Sequence, residues 1–535
     1  MRFFGRRPQN DKSLAPVDML SCLVLEQPGK WRSMGVTTLL VIALLPAAPL
    51  LWHAGVSLAV APAVMGAAFG SALQNSALLA LLVAAVSLMV GLPTGVLTAL
   101  YEFPGRRMFL ALLTLPLLMP SFLLAIGWSA LAARLGPSAT SLLSGFPGCL
   151  LVLSAGTGPL VVLVAYAATR ALSGSQIEAA RLAGGEKTVL FSVSRHVAIP
   201  ALLAAGLGGV WTLSDPGPGE IFGLRTVAAE ILISFSALYD FPLAGQQCAI
   251  LAGIVLTSAL PLAFFAAPRL ASEVMVRQVY APRRVPHRSM GGVAVVVLFV
   301  LALTNTLAPF LGLVLPLAGS ETWLQASGEL VRTAGNTLIY ATGAGVIAAV
   351  LGILLAVCAG REERLRVVCI SMSLALFSLP PTLAALGVVQ LAAAAPAWAD
   401  PFLRSRITVC AVLGLRFFPI ATLLGLRAWG EIATSWTLAA AVHGVSLTTY
   451  VWRVVLPLLG PSGAVALLLT ALLATADIST VLLLHPPGAR SLPLAIFTVM
   501  ANAPESLVAA LSLVYAGAAV GLLMVGWTIV GKQRV

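Results

Sequence analysis

Charged residues are scarce in this chain of 535 residues: Asp, Glu, Lys and Arg make up 9% of it, whereas hydrophobic residues make up 59%. An ordinary soluble domain has about 25% charged residues. A mean hydropathy of +1.00 also means more apolar surface than a soluble core of ordinary size buries. The composition therefore excludes a water-soluble protein and predicts one embedded in a membrane.

Acidic residues are rarer than basic ones, with 19 Asp and Glu against 31 Lys and Arg. The resulting net charge of +12 does not indicate nucleic acid, because the cations stand in short clusters beside apolar segments rather than on one soluble face. Such clusters favour cytoplasmic loops, so we expect alternate loops and both termini to be cytoplasmic. The clusters are Arg2, Arg6, Arg7, Lys12, Lys30, Arg32, Arg106, Arg107, residues 269–288, residues 361–366, Lys532 and Arg534.

Cysteine is also rare, with six residues and neither a CxxC motif nor a metal-type spacing to His. This argues against a disulfide framework and against a zinc or other metal site. No nucleophile stands beside a base and no two carboxylates face one site, so we expect no catalytic residues. The first 34 residues lack the pattern of a cleavable signal peptide.

Long apolar runs fill most of the chain, and a membrane-spanning helix needs roughly 20 such residues. They predict an all-α polytopic membrane protein with about twelve transmembrane helices. The predicted spans are residues 35–57, 76–100, 108–132, 148–170, 199–219, 246–267, 292–316, 335–359, 367–394, 407–427, 457–484 and 507–530.

The two halves of the chain are similar in sequence. Aligning Asn75 with Asn336 places Gly91 on Gly352 without a gap, and the same offset carries Pro120 onto Pro381. We therefore predict two tandem six-helix repeats in parallel orientation, an organisation common in transporters. The predicted parts are a basic cytoplasmic N-terminus at 1–34, a first repeat at 35–267 with a core at about 71–267, a cytoplasmic linker at 268–290, and a second repeat at 291–535 with a core at about 332–530.

Two polar segments stand at matching places in the halves. Residues 175–200, "SQIEAARLAGGEKTVLFSVSRHVAIP", predict a capping box between Ser175 and Glu178, a helix break at Gly184–Gly185, and a second helix that reaches Pro200. Residues 438–457, "LAAAVHGVSLTTYVWRVVLP", repeat this plan around Gly444. Helices with this many polar groups do not lie in lipid, so we expect them at the cytoplasmic surface or docked into a partner.

These segments resemble the cytoplasmic loop of the inner-membrane permeases of binding-protein-dependent ATP-binding-cassette importers with the type I fold. In that family the loop has the form E-A-A, three residues, G, nine residues, I-x-L-P. The first segment matches the start but reaches its Pro three residues late, and the second keeps the spacing with Leu438 in place of Glu. The matching residues are Glu178, Ala179, Ala180, Gly184, Ala439, Ala440, Gly444 and Pro457.

The resemblance covers residues 70–530 approximately and is closest to fused double permeases of the ferric-iron, thiamine and phosphonate type, on the segments "FSALYDFPLAG" and "TVLLLHPPGARSLPLAIFTVMANAPESLVAALSL". It implies a multi-pass protein of the bacterial inner membrane. It also implies two ATPase subunits that grip residues 178–195 and 438–453, including Arg195 and Arg453, and a periplasmic solute-binding protein. Rigid coupling would depend most on the bends at Gly184 and Gly444.

The chain has no ATP site of its own in this interpretation. "GGEKT" is similar to the end of a phosphate-binding loop, but Glu186 and Arg181 occupy positions where that motif needs Gly. ATP would therefore be used by the partner subunit, with no cofactor bound here. Ferric iron, thiamine, a polyamine and a phosphonate all remain possible substrates.

A few polar residues within or beside the spans are candidates for the translocation path. Asp215 and Asp477 stand at related places and either meet a cationic substrate or gate the path, or else cap or end broken helices. Arg416 lies inside a span and needs a carboxylate, a carbonyl or a water as partner. Asn75 and Asn336 begin core helices, where a helix-capping role competes with a place in the path.

The alternative function is an ion-coupled secondary transporter with two parallel six-helix halves. It would need no ATPase and should place titratable groups near the middle of the bilayer, where this sequence has few. A membrane-embedded enzyme is a third possibility, but no paired catalytic motif supports it.

Overall fold

A computed structural model describes residues 29–60, 66–273, 283–317, 322–500 and 502–532. These residues are almost entirely helical, and the two strands among them have two residues each. The helices are α1 Lys30–Leu44, α2 Ala48–Val60, α3 Ala67–Leu100, α4 Arg106–Thr114, α5 Ser121–Leu135, α6 Pro137–Leu143, α7 Phe146–Ala171, α8 Gly174–Thr212, α9 Gly217–Phe222, α10 Val227–Ser236, α11 Phe241–Glu273, α12 Arg288–Ala302, α13 Ala308–Val314, α14 Thr322–Ala359, α15 Glu363–Ser378, α16 Pro381–Ala394, α17 Asp400–Leu403, α18 Arg406–Glu431, α19 Thr434–Val442, α20 Leu447–Tyr450, α21 Leu456–Ala476, α22 Ile478–Leu484, α23 Leu492–Val499 and α24 Glu505–Lys532.

Ten stretches of helix in the described residues are long and apolar enough to cross a membrane. Counting α15 and α16, which meet at a bend of 78°, as one broken span gives up to eleven. Large apolar side chains on their outer faces are exposed, for example Leu81 and Met89 on α3, as expected of a surface that faces lipid. The chain is therefore an all-α, multi-pass membrane protein.

Three predicted spans differ from the helices observed. Residues 108–132 are not one helix, because the chain breaks between α4 and α5 at Pro116 and Pro120, where proline cannot continue the hydrogen-bond ladder. Residues 457–484 are divided at Asp477 between α21 and α22. The span predicted from residue 199 is the second part of α8, which runs through Pro200 without a break.

The two halves of the chain pack their long helices in the same way. In the first half α3 packs against α7 and α8, and in the second α14 packs against α18 and α21. Glycines allow the close approach: a Cβ on Gly91 would lie 2.7 Å from Val161 Cβ, and a Cβ on Gly352 would lie 2.6 Å from Ala421 Cβ. The two glycines are equivalent under the sequence alignment of the halves, and their partners lie on α7 and α18.

The helix that opens each half lies against the other half. Helix α13 packs on α5, where Gly127 and Gly312 bring the two backbones into contact. The turn Leu45–Ala47 between α1 and α2 packs on α16, with Gly387 against the backbone of Pro46. The halves are thereby joined by two reciprocal contacts.

The connection between the halves is shorter than the predicted linker at 268–290. Helix α11 continues through Pro268 to Glu273, and α12 begins at Arg288. Between them strand β2, Val285–Pro286, pairs in parallel with strand β1, Tyr101–Glu102, so that Tyr101 stands opposite Val285. The connection therefore contacts the chain immediately after α3.

Candidate functional site: two surface loops and a central cavity

The first loop, residues 173–188, begins two residues earlier than predicted. Ser173, not Ser175, caps α8, and its Oγ accepts a hydrogen bond from Gln176 N at 3.3 Å. The predicted capping box with Glu178 is therefore wrong, because Glu178 stands too far into the helix for that role. Its carboxylate instead pairs with Arg181 at 2.8 Å and is half exposed.

The bend of the first loop is made by Gly184 and Gly185, whose backbone angles are both non-helical. Gly185 has a φ of 68°, and the left-handed region costs other L-residues roughly 1–2 kcal/mol. The φ of Gly184, −167°, suits any residue, but a Cβ there would collide with the hydroxyl of Thr188. Both positions therefore favour glycine, one for its backbone angle and the other for its close contact.

A partly buried polar network fixes the residues that follow the bend. Arg181 Nε donates to Glu186 Oε1 at 2.6 Å, and the Tyr101 hydroxyl donates to Glu186 Oε2 at 2.6 Å. Burial, and then the hydrogen bond to Glu186, raise the pKa of Tyr101 well above its usual value, so the phenol stays a donor. The ring of His287 packs edge-on against Tyr101 at 5.9 Å, which ties the loop to the connection between the halves.

The second loop, residues 433–447, makes the corresponding bend with different chemistry. Helix α19 ends before Gly444, which has a φ of 66°, and Val445 N donates back to Ala440 O at 2.9 Å. The hydroxyls of Thr437 and Tyr450 hydrogen-bond at 2.9 Å in the interior. This bond joins the two arms of the bend where the first loop has its ion pairs.

The two loops nevertheless expose the same positions. When Gly184 is aligned with Gly444, Leu182 stands opposite Val442, and these side chains are 90% and 78% exposed. The family-motif residues around them are largely at the surface as well. Exposed are Glu178, Ala179, Gly184, Arg195, Ala439, Arg453 and Pro457, and partly buried are Ala180, Ala440 and Gly444.

A central cavity of about 130 Å³ lies between the halves. It is lined by residues of both, among them three of the predicted path residues: Asp215, Arg416 and Asp477. The three residues come from different parts of the fold. Asp215 follows α8, Arg416 lies within α18, and Asp477 separates α21 from α22. The cavity therefore brings together polar groups that are far apart in sequence.

Arg416 has the partners that its position in a span requires. Its Nε lies 2.9 Å from Asp477 Oδ2 and its Nη1 donates to Leu379 O at 3.0 Å. Asp477 also accepts from Thr480 N at 3.0 Å and so caps α22. The predicted helix-capping role of Asp477 is confirmed, and the same carboxylate lines the cavity.

Asp215 lines the same cavity and has no salt bridge among the described residues. It accepts a hydrogen bond from Gly217 N at 3.0 Å, just before α9, whose N-cap residue is Pro216, and Ser121 is a further hydrogen-bonding neighbour. The charge of Arg416 also acts on Asp215. When Pro159 is aligned with Pro419, the residue of α7 that matches Arg416 is Gly156, which also lines the cavity.

Asn75 and Asn336 do not cap helices, so that prediction is wrong. Both lie inside long helices, α3 and α14, and are not among the residues that line the central cavity. Their side-chain amides donate to the carbonyls of Arg225 and Arg490, at 3.1 and 3.2 Å. The two halves therefore make equivalent hydrogen bonds at these positions.

The residues after Asn75 and Asn336 were missed in the sequence and act with them. Ser76 Oγ accepts from Val227 N at 2.9 Å, and Thr337 Oγ1 accepts from Leu492 N at 2.8 Å. These bonds satisfy the first N–H groups of α10 and α23, which helices leave unpaired. The sequence did contain a signal for these residues. Where the two halves align, each has an Asn followed by a residue with a hydroxyl group.

No group of three His, Cys, Asp or Glu side chains with the geometry of a metal site occurs among the described residues. Comparisons of the chain with protein-family models, with curated proteins and with solved structures return no match. The function is therefore argued from the loops and the cavity alone.

Proposed function

We propose that this chain is the transmembrane permease subunit of an ATP-binding-cassette importer, built as two tandem six-helix repeats of the type I fold. It would reside in the bacterial inner membrane with both termini cytoplasmic. Two separate ATPase subunits would energise transport, and a periplasmic solute-binding protein would deliver the solute. The observation that carries the proposal is the pair of bent surface loops with matched exposed tips.

The loops have the properties that a docking lever requires. Each is a short helix that ends in a left-handed glycine, Gly185 or Gly444, and each presents an apolar side chain to solvent beside that glycine. Exposed apolar groups at a polar surface mark sites of protein contact. Internal bonds hold each bend rigid, so a movement of a partner would be transmitted to the attached spans.

Matched contacts in the two halves support the tandem repeat. Equivalent glycines bring equivalent helices together, and the amides of Asn75 and Asn336 bond to equivalent carbonyls. The opening helix of each half also crosses to the other half. An interface between related halves is where transporters of repeated architecture place their path, and the central cavity lies there.

The cavity favours a cationic solute. Two carboxylates and one guanidinium line it, and the guanidinium is paired with Asp477. Asp215 has no salt bridge among the described residues, although the charge of Arg416 acts on it, so it is the carboxylate that would meet a positive group. Of the substrates compatible with the resemblance, ferric iron, thiamine and a polyamine meet this requirement better than a phosphonate does.

The loops are tested by charging their tips. Leu182→Asp and Val442→Asp should each weaken recovery of an ATPase when the tagged chain is purified from its native membranes in mild detergent, and the double variant should abolish it. Both sites are exposed, so the membrane part should stay folded. The measurements are mass-spectrometric identification of a nucleotide-binding subunit and ATP hydrolysis by the purified complex.

Leu142→Asp is the matched control, because Leu142 is also 71% exposed but lies on α6, at the opposite end of α7 from the first loop. It should leave recovery unchanged. If the wild-type chain recovers no ATPase, or if the loop variants behave as Leu142→Asp does, the importer proposal fails. Transport driven by an ion gradient would then be the function to measure.

A further inference from the structure

The strongest feature outside the loops and the cavity is a cluster of arginines on the side of the molecule where the first loop lies. The arginine cluster consists of Arg106 at the start of α4, Arg170 at the end of α7 and Arg284 just before β2. Arg284 Nη2 donates to the Tyr166 hydroxyl at 2.9 Å, which holds it against α7. Three separate segments thus bring like charges together.

The charges of the cluster act on one another. Burial, followed by the charge of Arg284, lowers the pKa of Arg106. The charge of Arg170 interacts unfavourably with those of Arg284 and Arg106. Tyr166 and then Glu102 act favourably on Arg106, against the charges of Arg284 and Arg107.

Two nitrogens of the cluster are buried without a hydrogen-bond partner in the described part of the chain, namely Arg106 Nη1 and Arg284 Nε. An unsatisfied buried donor on a charged group is costly, so such groups are normally matched by an acceptor. An open cleft lined by Glu102, Gly105 and Arg106 leads to the site. Gly105 gives α4 no side-chain cap, which leaves further donors at the same place.

The corresponding surface of the second half also carries arginines, but there they bond to neighbouring carbonyls. Arg361 donates to Ile432 O, and Arg366 Nη1 donates to Arg361 O at 3.0 Å. The Nε atom of Arg366 is buried without a hydrogen-bond partner in the described part of the chain, as two nitrogens of the first-half cluster are. What distinguishes the first half is that three separate segments bring their arginines together, beside an open cleft that Arg106 lines.

We propose that Arg106, Arg170 and Arg284 form a binding site for a phosphate group, carried either by an anionic lipid of the adjoining leaflet or by a soluble phosphate compound. Arginine forks suit phosphate because they donate two parallel hydrogen bonds to its oxygens. A position at the end of the spans α3 and α7 puts the site at the depth of lipid headgroups. The site does not depend on the proposed transport function, and its test needs no ATPase.

The test compares two double variants that remove the same charge. In Arg106→Gln/Arg284→Gln the buried donors are lost, whereas Arg107→Gln/Arg283→Gln removes the exposed neighbours of the same residues. Binding to the delipidated full-length chain is measured by native mass spectrometry with short-chain phosphatidylglycerol and phosphatidylcholine. Inorganic phosphate is then added as a competitor.

We expect the wild type to prefer phosphatidylglycerol and the Arg106/Arg284 variant to bind it at least about tenfold more weakly, since charge-assisted bonds are lost. The Arg107/Arg283 variant should stay within about threefold of the wild type, because only surface attraction changes. Displacement by millimolar inorganic phosphate would identify a soluble ligand, and resistance to it would identify the lipid.

Equal losses in the two double variants would overturn the proposal, because they would show attraction by surface charge alone. A wild type that neither distinguishes the two lipids nor binds phosphate would overturn it too. Should the glutamine variant fail to elute as a monodisperse species, Arg106→Lys/Arg284→Lys keeps the charges but removes the forks. It should still bind phosphatidylglycerol several-fold more weakly than Arg107→Lys/Arg283→Lys.

Discussion

The two sides of the central cavity are formed by matching helices of the two halves but carry different charged residues. In the second half Arg416 occupies α18 and pairs with Asp477. In the first half the position of α7 that matches Arg416, when Pro159 is aligned with Pro419, is Gly156. Asp215 has no salt bridge among the described residues, although the charge of Arg416 acts on it. Helices of the two halves thus line the cavity in a similar way, and the position of one arginine decides which carboxylate is directly paired.

A similar contrast separates the two surface loops. The first holds its bend with the Arg181, Glu186 and Tyr101 network, which reaches the connection between the halves. The second holds its bend with the buried hydroxyl pair of Thr437 and Tyr450. The loops present the same shape, but ionic strength should act on the first alone.

The largest effect is expected when the ion pair between Arg416 and Asp477 at the cavity is broken. Arg416→Met should destabilise the protein by about 3–5 kcal/mol, because removing one partner leaves a buried charge uncompensated. Arg416→Met/Asp477→Asn should recover most of that loss, and Asp215→Asn should cost less than about 1 kcal/mol because no ion pair is broken. Denaturant unfolding in detergent measures all three, and equal costs for Arg416→Met and Asp215→Asn would remove the contrast between the walls.

A smaller effect is expected at a close helix contact that occurs in both halves. The glycine of this contact stands on one helix in the first half and on the opposite helix in the second. In the first half Gly209 on α8 meets Ala84 on α3, and in the second Gly345 on α14 meets Ala471 on α21. Gly209→Ala and Gly345→Ala should each cost about 1–3 kcal/mol, since the new Cβ would lie 2.6 Å from Ala80 O or 2.8 Å from Leu467 O.

Gly156→Ala is the control for this pair, because its Cβ would meet nothing within 4 Å. It should leave the midpoint of thermal unfolding unchanged or raise it slightly, as alanine favours helix. A cost in only one of Gly209→Ala and Gly345→Ala would mean that the two contacts are not equivalent.

The smallest effect should separate the loops. Tyr101→Phe and Tyr450→Phe each remove one hydrogen bond, worth about 1 kcal/mol. Tyr101→Phe should speed amide hydrogen exchange at residues 174–186 about fivefold, while leaving residues 434–442 unchanged. Tyr450→Phe should do the reverse. Exchange that rises in both loops for either variant would show that they open together.

Much of the fold could be read from composition and periodicity. The apolar runs identified membrane helices because a span of lipid demands a minimum length of apolar residues, and eleven of the twelve predicted spans overlap a long helix or the bent pair α15–α16. Breaks inside them were harder to place. Pro116 and Pro120 end helices, whereas Pro200 lies inside α8, and the local sequence does not distinguish these cases.

The candidate site was predicted in its parts but not in its arrangement. Asp215, Arg416 and Asp477 stood out because charge inside a span is costly and needs a reason. Their meeting at one cavity depends on how α8, α18 and α21 pack, and no local pattern encodes it. Asn75 and Asn336 were misassigned as helix caps because α3 and α14 begin several residues before them. The apolar run did not reveal where these helices begin.

The amino-acid sequence by itself determined that this chain lies in a membrane, that its halves are similar, and where its polar loops bend, because each property follows from residues close together along the chain. Only the tertiary structure decided that Gly185 has a left-handed backbone while Gly184 lies against Thr188, that Arg416 pairs with Asp477 rather than with Asp215, and that three arginines share one place. These outcomes depend on backbone angles and on distances between segments, which side-chain chemistry constrains only after the helices have packed.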